Sequence, residues 1–336
     1  MTDRLLRVIE IDDDAWDQEC IDADPHESRA YLRGVALTRG LRPVLVVAEG
    51  GEWKASYVLL LSPLSTGRWL ARTPEYGGPW FDTSNVPVAA REMRPQLDAT
   101  LRSLDVVSEV FALGPWLHGR DEIAHGWDAR PEKRIFTTSL RDLAQLRRSF
   151  RKGRRADIAR GARDFEVRVG PLTGEGAEQF AFAYTQAMQR IGAADRWQLG
   201  PEYFVALVEA GADLTEVQVS RGCAGATAIF LTAEARASYL FATRVGDAPG
   251  AASAALWHGM AALADRSVVD LNLGGGVGDG DDDPLLRFKR SMSSGEAILH
   301  LGARCFDSVA HAAAVVDGVA RPLPDGAVKA ATGTDR

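Results

Sequence analysis

Cysteine is scarce in this chain. Only Cys20, Cys223 and Cys305 occur in 336 residues, an odd and scattered set that excludes a disulfide framework and a CxxC-type zinc site and leaves buried free thiols as the expectation. Long apolar runs are missing too. Runs such as Tyr57-Val58-Leu59-Leu60-Leu61 are far short of the ~20 residues a membrane-spanning helix needs. Near the amino terminus, Asp12-Asp13-Asp14 interrupts an amphipathic stretch that has neither the apolar block nor the small-residue cleavage site of a secretory leader. A cytoplasmic protein without membrane insertion is therefore expected. The histidines, His26, His118, His125, His258, His300 and His311, show no HExxH or paired-ligand spacing, and no GxSxG elbow or nucleophilic cysteine context is found. Metalloenzyme and hydrolase readings drop out, and no metal is expected.

What remains is an ordinary globular balance, 46% apolar and 25% charged, sufficient for a large core and about two domains. The net charge of -7 argues against a protein that coats nucleic acid everywhere. The sign is unevenly spread, however. Arg147, Arg148, Arg151, Lys152, Arg154, Arg155, Arg160, Arg163 and Arg168 follow one another with only Asp157, Asp164 and Glu166 among them. A helix usually mixes signs at i,i+4, so this block in an acidic chain predicts a local contact with a polyanion.

Periodicity and turn residues give the organisation. Residues 43–48 and 56–61 read as strands joined through Gly50-Gly51, followed by a helix over 89–104 and a strand over 106–113 that Gly114-Pro115 stops. Ser139, three residues before Asp142, is expected to cap a helix whose apolar stripe is Leu140, Leu143, Leu146 and Phe150, with the arginines on its other faces. Helices over 180–191, 203–210 and 251–264 and strands over 215–220, 225–232, 237–243 and 268–273 complete a second mixed unit. The two halves share an order of elements without a residue-level repeat. The expected class is α+β, with mixed central sheets flanked by helices, domains at 1–138 and 139–318, and a fraying tail at 319–336.

The strand over 268–273 runs into Gly274-Gly275-Gly276, where the lack of side chains lets a substrate approach the backbone. These glycines fit neither GxGxxG nor a P-loop. The acidic loop Asp279-Gly280-Asp281-Asp282-Asp283 lacks the spacing of an EF-hand and reads as a solvated loop. Leu285-Leu286-Arg287-Phe288-Lys289-Arg290 follows. This order, preceded by Tyr76-Gly77-Gly78-Pro79 and by the basic run from Leu146 to Arg155, resembles the Fem-type (FemABX) aminoacyltransferases, relatives of the double-domain GNAT acyltransferases, over roughly residues 44–301.

The resemblance implies two tandem GNAT-like domains and transfer of an amino acid from aminoacyl-tRNA, a co-substrate rather than a bound cofactor, onto a small-molecule or peptide amine, as in peptidoglycan-precursor or antibiotic biosynthesis. It implies that Lys289, beside Phe288, meets the acyl carbonyl, where an ammonium stabilises the developing oxyanion. Gly274, Gly275 and Gly276, with Tyr239 and Arg244, would line the aminoacyl pocket. Arg147, Arg148, Arg151, Lys152, Arg154 and Arg155 would hold tRNA phosphates. Tyr76, Gly77 and Gly78, with Trp197, would meet the acceptor in a cleft between domains; core packing is the other reading of Tyr239 and Trp197. The chain departs from the larger peptidoglycan enzymes in lacking a long helical hairpin in its second domain. An acetyl-CoA-dependent N-acetyltransferase is the alternative. At the position of its pyrophosphate turn, Asp247-Ala248-Pro249-Gly250-Ala251-Ala252, a carboxylate repels phosphate and a proline removes a donor. A silent scaffold that only binds RNA is the third possibility.

Overall fold

In the computed structural model, residues 6–20, 24–277, 280–323 and 328–329 are described. Asp279 and most of the tail expected to fray lie outside them. The chain divides into two compact units, Met1–Lys133 with Ile298–Arg336, and Arg134–Ala297.

In chain order the elements are β1 (Arg7–Glu10), α1 (Trp16–Glu19), α2 (Arg29–Arg39), β2 (Arg42–Glu49), β3 (Lys54–Pro63), β4 (Trp69–Arg72), β5 (Pro79–Asp82), α3 (Val86–Ser103), β6 (Val106–Leu113), α4 (Arg120–Gly126) and β7 (Arg130–Ser139). Then come α5 (Leu143–Ser149), α6 (Lys152–Asp164), β8 (Glu166–Pro171), α7 (Gly174–Arg190), α8 (Pro201–Glu209), β9 (Leu214–Arg221), β10 (Ala224–Ala233), β11 (Arg236–Val245), α9 (Ala251–Asp265), β12 (Asp270–Gly274), α10 (Pro284–Arg290), β13 (Gly295–Cys305) and α11 (Ser308–Val316). The expected α+β class holds, with two units in which helices flank mixed strands.

Strands apolar at every position, such as Val44 to Ala48 in β2, must be covered on both faces. Val44 and Val46 pack into a core with Met93 and Leu97 of α3. Their neighbours Leu45 and Val47 pack with Trp16 and Leu32 on the other side. In the second unit Ala228 and Phe230 of β10 meet Leu256 and Met260 of α9, while Phe241 of β11 joins an edge-on aromatic cluster with Tyr184 and Phe204 of α7 and α8.

The strands of the first unit run β1-β2-β3-β4-β6-β13 and those of the second β8-β9-β10-β11-β12-β7. Each order begins with antiparallel pairs. Each then has one parallel pair, β4 with β6 and β11 with β12, joined through α3 and α9 as a parallel connection requires. Each closes on an antiparallel strand, β13 on β6 and β7 on β12. These last strands are exchanged: β7 follows β6 in sequence yet pairs with β12, and β13 follows β12 yet pairs with β6.

The exchange accounts for one difference from the sequence reading, because residues 298–318, assigned there to the second domain, fold with the first unit. A second difference concerns the basic helix. Ser139 ends β7, and Asp142 is the residue that caps α5, accepting from Gln145 N at 2.8 Å. Phe150 and Arg151 are extended, with ψ of 142° and 150°, and break the expected single helix into α5 and α6. The apolar stripe survives the break, since Leu140, Leu146, Phe150 and Ile158 enter one core. None of the cysteines is in a disulfide; Cys20 and Cys305 are half-buried, and Cys223, expected to be buried, is exposed. Among the described residues no helix is long and apolar enough to cross a membrane.

Candidate functional site

At the end of β12 the parallel ladder with β11 stops at the pair Ser238 and Asn272. Beyond it the pairing with β7 shifts register between Asn272 and Gly274, and Gly274 adopts a left-handed φ of +69°, a conformation that favours glycine. Asn272 Oδ1 accepts from Gly274 N at 2.7 Å. That bond fixes the amide's orientation and leaves its Nδ2 buried with no hydrogen-bond partner among the described residues. Sequence reasoning did not single out Asn272. The signal was present, a polar side chain between Leu271 and Leu273 in a strand buried on both faces.

The loop that follows is acidic for a structural reason. Asp283 caps α10 by accepting from Leu285 N (2.8 Å) and Leu286 N (3.3 Å), and its other oxygen accepts from Val277 N at 2.6 Å. A Cβ on Gly276 would stand 2.1 Å from that oxygen, so the glycine is required there. Asp281 pairs with Arg134 (2.7 Å) and Arg290 (3.0 Å), which hold its carboxyl below the usual range. No group of three His, Cys, Asp or Glu able to hold a metal occurs among the described residues.

Helix α10 carries Lys289 inward. The side chain is 9% exposed, its Nζ donates to Gly275 O at 2.8 Å, and it stands 5.9 Å from the centre of the Tyr239 ring. Burial pushes the Tyr239 phenol up, so that side chain is neutral and packs against Phe230 at 5.5 Å. Of the residues singled out from the sequence, Lys289, Tyr239 and Gly275 lie together. Phe288 packs on the adjacent core and under the Arg154 guanidinium, 5.0 Å away. Arg244 does not join them: it is exposed, five residues past Tyr239 on β11, roughly 16 Å along an extended strand.

The six basic residues expected to bind phosphate separate into three groups. Arg154 is half-buried and committed, with Nη1 donating to Ser253 (2.6 Å) and Nε to Ser291 (2.9 Å), and burial lowers its pKa. Arg151 and Lys152 are exposed at the start of α6. Arg147, Arg148 and Arg155 converge with Leu143, Ala144 and Trp257 on a pocket of about 590 Å³. Trp257, hidden in the sequence inside an apolar helix, was missed. Near it Gly250, the N-cap of α9, lies against α6: a Cβ there would meet Asp157 O at 2.4 Å.

In the first unit, Tyr76, Gly77 and Gly78 surround a buried carboxylate. Glu27 accepts from Gly78 N (3.2 Å), Trp80 Nε1 (2.6 Å) and Asp24 N (2.9 Å), and a Cβ on Gly77 would stand 2.3 Å from it. Burial and the charge of Asp24 push the Glu27 carboxyl up to about 8 against the pull of those donors. Tyr76 packs edge-on to His26 at 5.2 Å, and His26 Nδ1 lies 2.8 Å from Asp24. Trp197 is half-buried in the turn Asp195–Trp197, which links α7 to α8.

No family model and no curated protein matches this chain. Solved structures do. FemX is similar at 11% identity and a TM-score of 0.67, over 88% of this chain and 97% of that one. A conserved protein of unknown function from Bacteroides thetaiotaomicron follows at 11% and 0.59, over 88% and 99%. The C-terminal domain of a putative lysylphosphatidylglycerol synthetase from Agrobacterium fabrum matches at 16% and 0.52, over 88% and 94%. At these identities the likeness establishes the fold.

Proposed function

We propose that the chain is an acyltransferase that moves an aminoacyl group from the 3′ ester of an aminoacyl-tRNA onto an amine. The observation that carries this reading is Lys289, an ammonium withdrawn from water beside a glycine-rich strand end, in a chain with the fold of FemX. An ester is already activated, so the protein has to hold two partners together and stabilise charge. The neutral amine nitrogen attacks the ester carbonyl carbon, and the C–N bond forms as the π pair moves onto oxygen. We assign Lys289 to that oxygen, because a preorganised charge in a low-dielectric site interacts far more strongly than in water. Collapse restores the carbonyl and breaks the C–O bond to ribose, and the proton lost by the amine ends on the departing hydroxyl. No covalent intermediate on the protein is needed.

The basic segment supports tRNA as the donor. Against acyl-CoA speaks the start of α9, where Gly250 is backed by α6 and the preceding turn holds Asp247 and Pro249. The test supplies tRNA charged with labelled amino acids and, separately, acetyl-CoA, to the protein with a panel of amines. Amide-linked label from tRNA is expected. Thiol release from acetyl-CoA with no transfer from tRNA would replace this reading by the acetyltransferase.

A further inference from the structure

We infer that the pocket of Leu143, Ala144, Arg147, Arg148, Arg155 and Trp257 is a nucleotide-binding site. The arginines take phosphate, and the apolar wall takes the sugar and base. The identity of the molecule bearing that nucleotide rests on the functional reading above; the existence of the site does not.

The first observation is how the cations are paired. Arg154, Arg163 and Arg168 of the same segment each have a carboxylate, Asp157, Asp164 and Glu166. Among the described residues Arg147, Arg148 and Arg155 have no carboxylate within 4 Å. Like charges gathered on one pocket repel, and an anion among them removes that cost. The second observation is that the cluster is held in place. Arg155 Nη1 donates to the carbonyls of Arg148 (3.2 Å) and Phe150, and the Arg147 guanidinium stands 5.5 Å from the Trp257 ring centre. Guanidinium groups fixed beforehand lose less freedom on binding phosphate. His258, on the same helix, is kept below its usual pKa by burial and by Arg147, which leaves a neutral ring behind the arginines.

Size and lining decide the ligand class. The cavity of about 590 Å³ lies in the range that holds whole small molecules. Phosphate or pyrophosphate alone would leave Leu143, Ala144 and Trp257 uncovered. A nucleotide satisfies both walls. It could come from the 3′ end of tRNA or from the adenosine phosphate moiety of CoA.

The full chain is titrated calorimetrically with AMP, adenosine, pyrophosphate, CoA, and a short RNA stem with a single-stranded 3′ tail. AMP is expected to bind more tightly than adenosine or pyrophosphate, with an affinity that falls as salt rises. Arg148→Ala, at an exposed position, should weaken AMP about tenfold, while Arg163→Ala should not. Loss of RNA affinity in Arg148→Ala, with no CoA binding, assigns the nucleotide to tRNA. CoA binding that Arg148→Ala abolishes keeps the site and overturns the donor proposed above. Absence of AMP binding, equal binding by Arg148→Ala and the parent chain, or pyrophosphate binding as tightly as AMP overturns the inference.

Discussion

The two units repeat one strand plan and use their charged side chains differently. In the first, polar groups under the strands answer one another: Glu27 takes three N–H donors, and Glu109 accepts from the Tyr57 hydroxyl at 2.8 Å and pairs with Arg94 at 2.8 Å. Arg94 also lies over Trp127, 4.6 Å from its centre. In the second, Lys289 is buried on a backbone carbonyl, and Arg147, Arg148 and Arg155 crowd a pocket with no carboxylate on its wall. Removing one member of such a buried set as Arg94 and Glu109 leaves the other unanswered, which costs stability. The pocket arginines, held in place with no carboxylate beside them among the described residues, are available to meet a ligand.

That contrast can be broken by substitution. Arg94→Ala leaves Glu109 buried without its cation, and loss of one partner of such a pair costs about 3–5 kcal/mol; urea denaturation of the variant should show a loss of this order, and one below about 1 kcal/mol would mean that the first unit does not depend on its internal pairing. Lys289→Ala should do the opposite, lowering transfer by ~10²–10³ while the denaturation midpoint moves little. A full rate in that variant removes the proposed chemistry.

Glu27 offers a subtler handle. Its folded carboxyl titrates near 8 instead of 4.5, so the folded chain holds the proton more tightly than the unfolded chain does. The stability from this group is complete below about pH 4.5 and is lost as pH rises through about 8. His26 adds the same sign: burial alone would lower it, but Asp24, Glu75 and Glu27 outweigh that and raise it. Melting temperature should therefore fall between about pH 4.5 and 8, and Glu27→Gln should flatten the fall; an unchanged slope in the variant would place the dependence elsewhere. The smallest effect belongs to Arg163→Ala. Arg163 is exposed and its partner Asp164 is adjacent and half-buried, and pairs at the surface contribute little, so the variant should melt like the parent chain. A clear drop would show that the basic segment matters to the fold as well as to its ligand.

Much of this was legible in the sequence because the responsible forces are local. The β2–β3 hairpin around Gly50-Gly51, strand β6 and helix α9 follow from alternation, apolar runs and turn residues, whereas the expectation at Lys289 came from a family resemblance. Short strands such as β4, β5 and β8 escaped, as did β7 and β13, whose partners are remote. Thr137 pairs with Asn272 and His300 with Leu113, and β7 opens with the exposed, charged Arg130-Pro131-Glu132, which reads as loop. The break at Phe150 was hidden because Leu146, Phe150 and Ile158 serve the same core on either side of it. Arg154 looked like its neighbours, yet small residues decide its fate: a Cβ on Gly161 would be 2.6 Å from that of Ala254, and this close approach of α6 to α9 brings Arg154 onto Ser253.

The exchanged strands bear on how the protein is made. A growing chain that has delivered β6 must wait for almost the whole second unit to emerge before β13 arrives, and meanwhile the β6 edge is unpaired, the kind of edge that recruits strands from other chains. The opening half of this polypeptide thus leaves the ribosome unfinished and depends on its own last quarter, so a gene cut after residue 139 would encode a fragment prone to aggregate rather than a smaller domain.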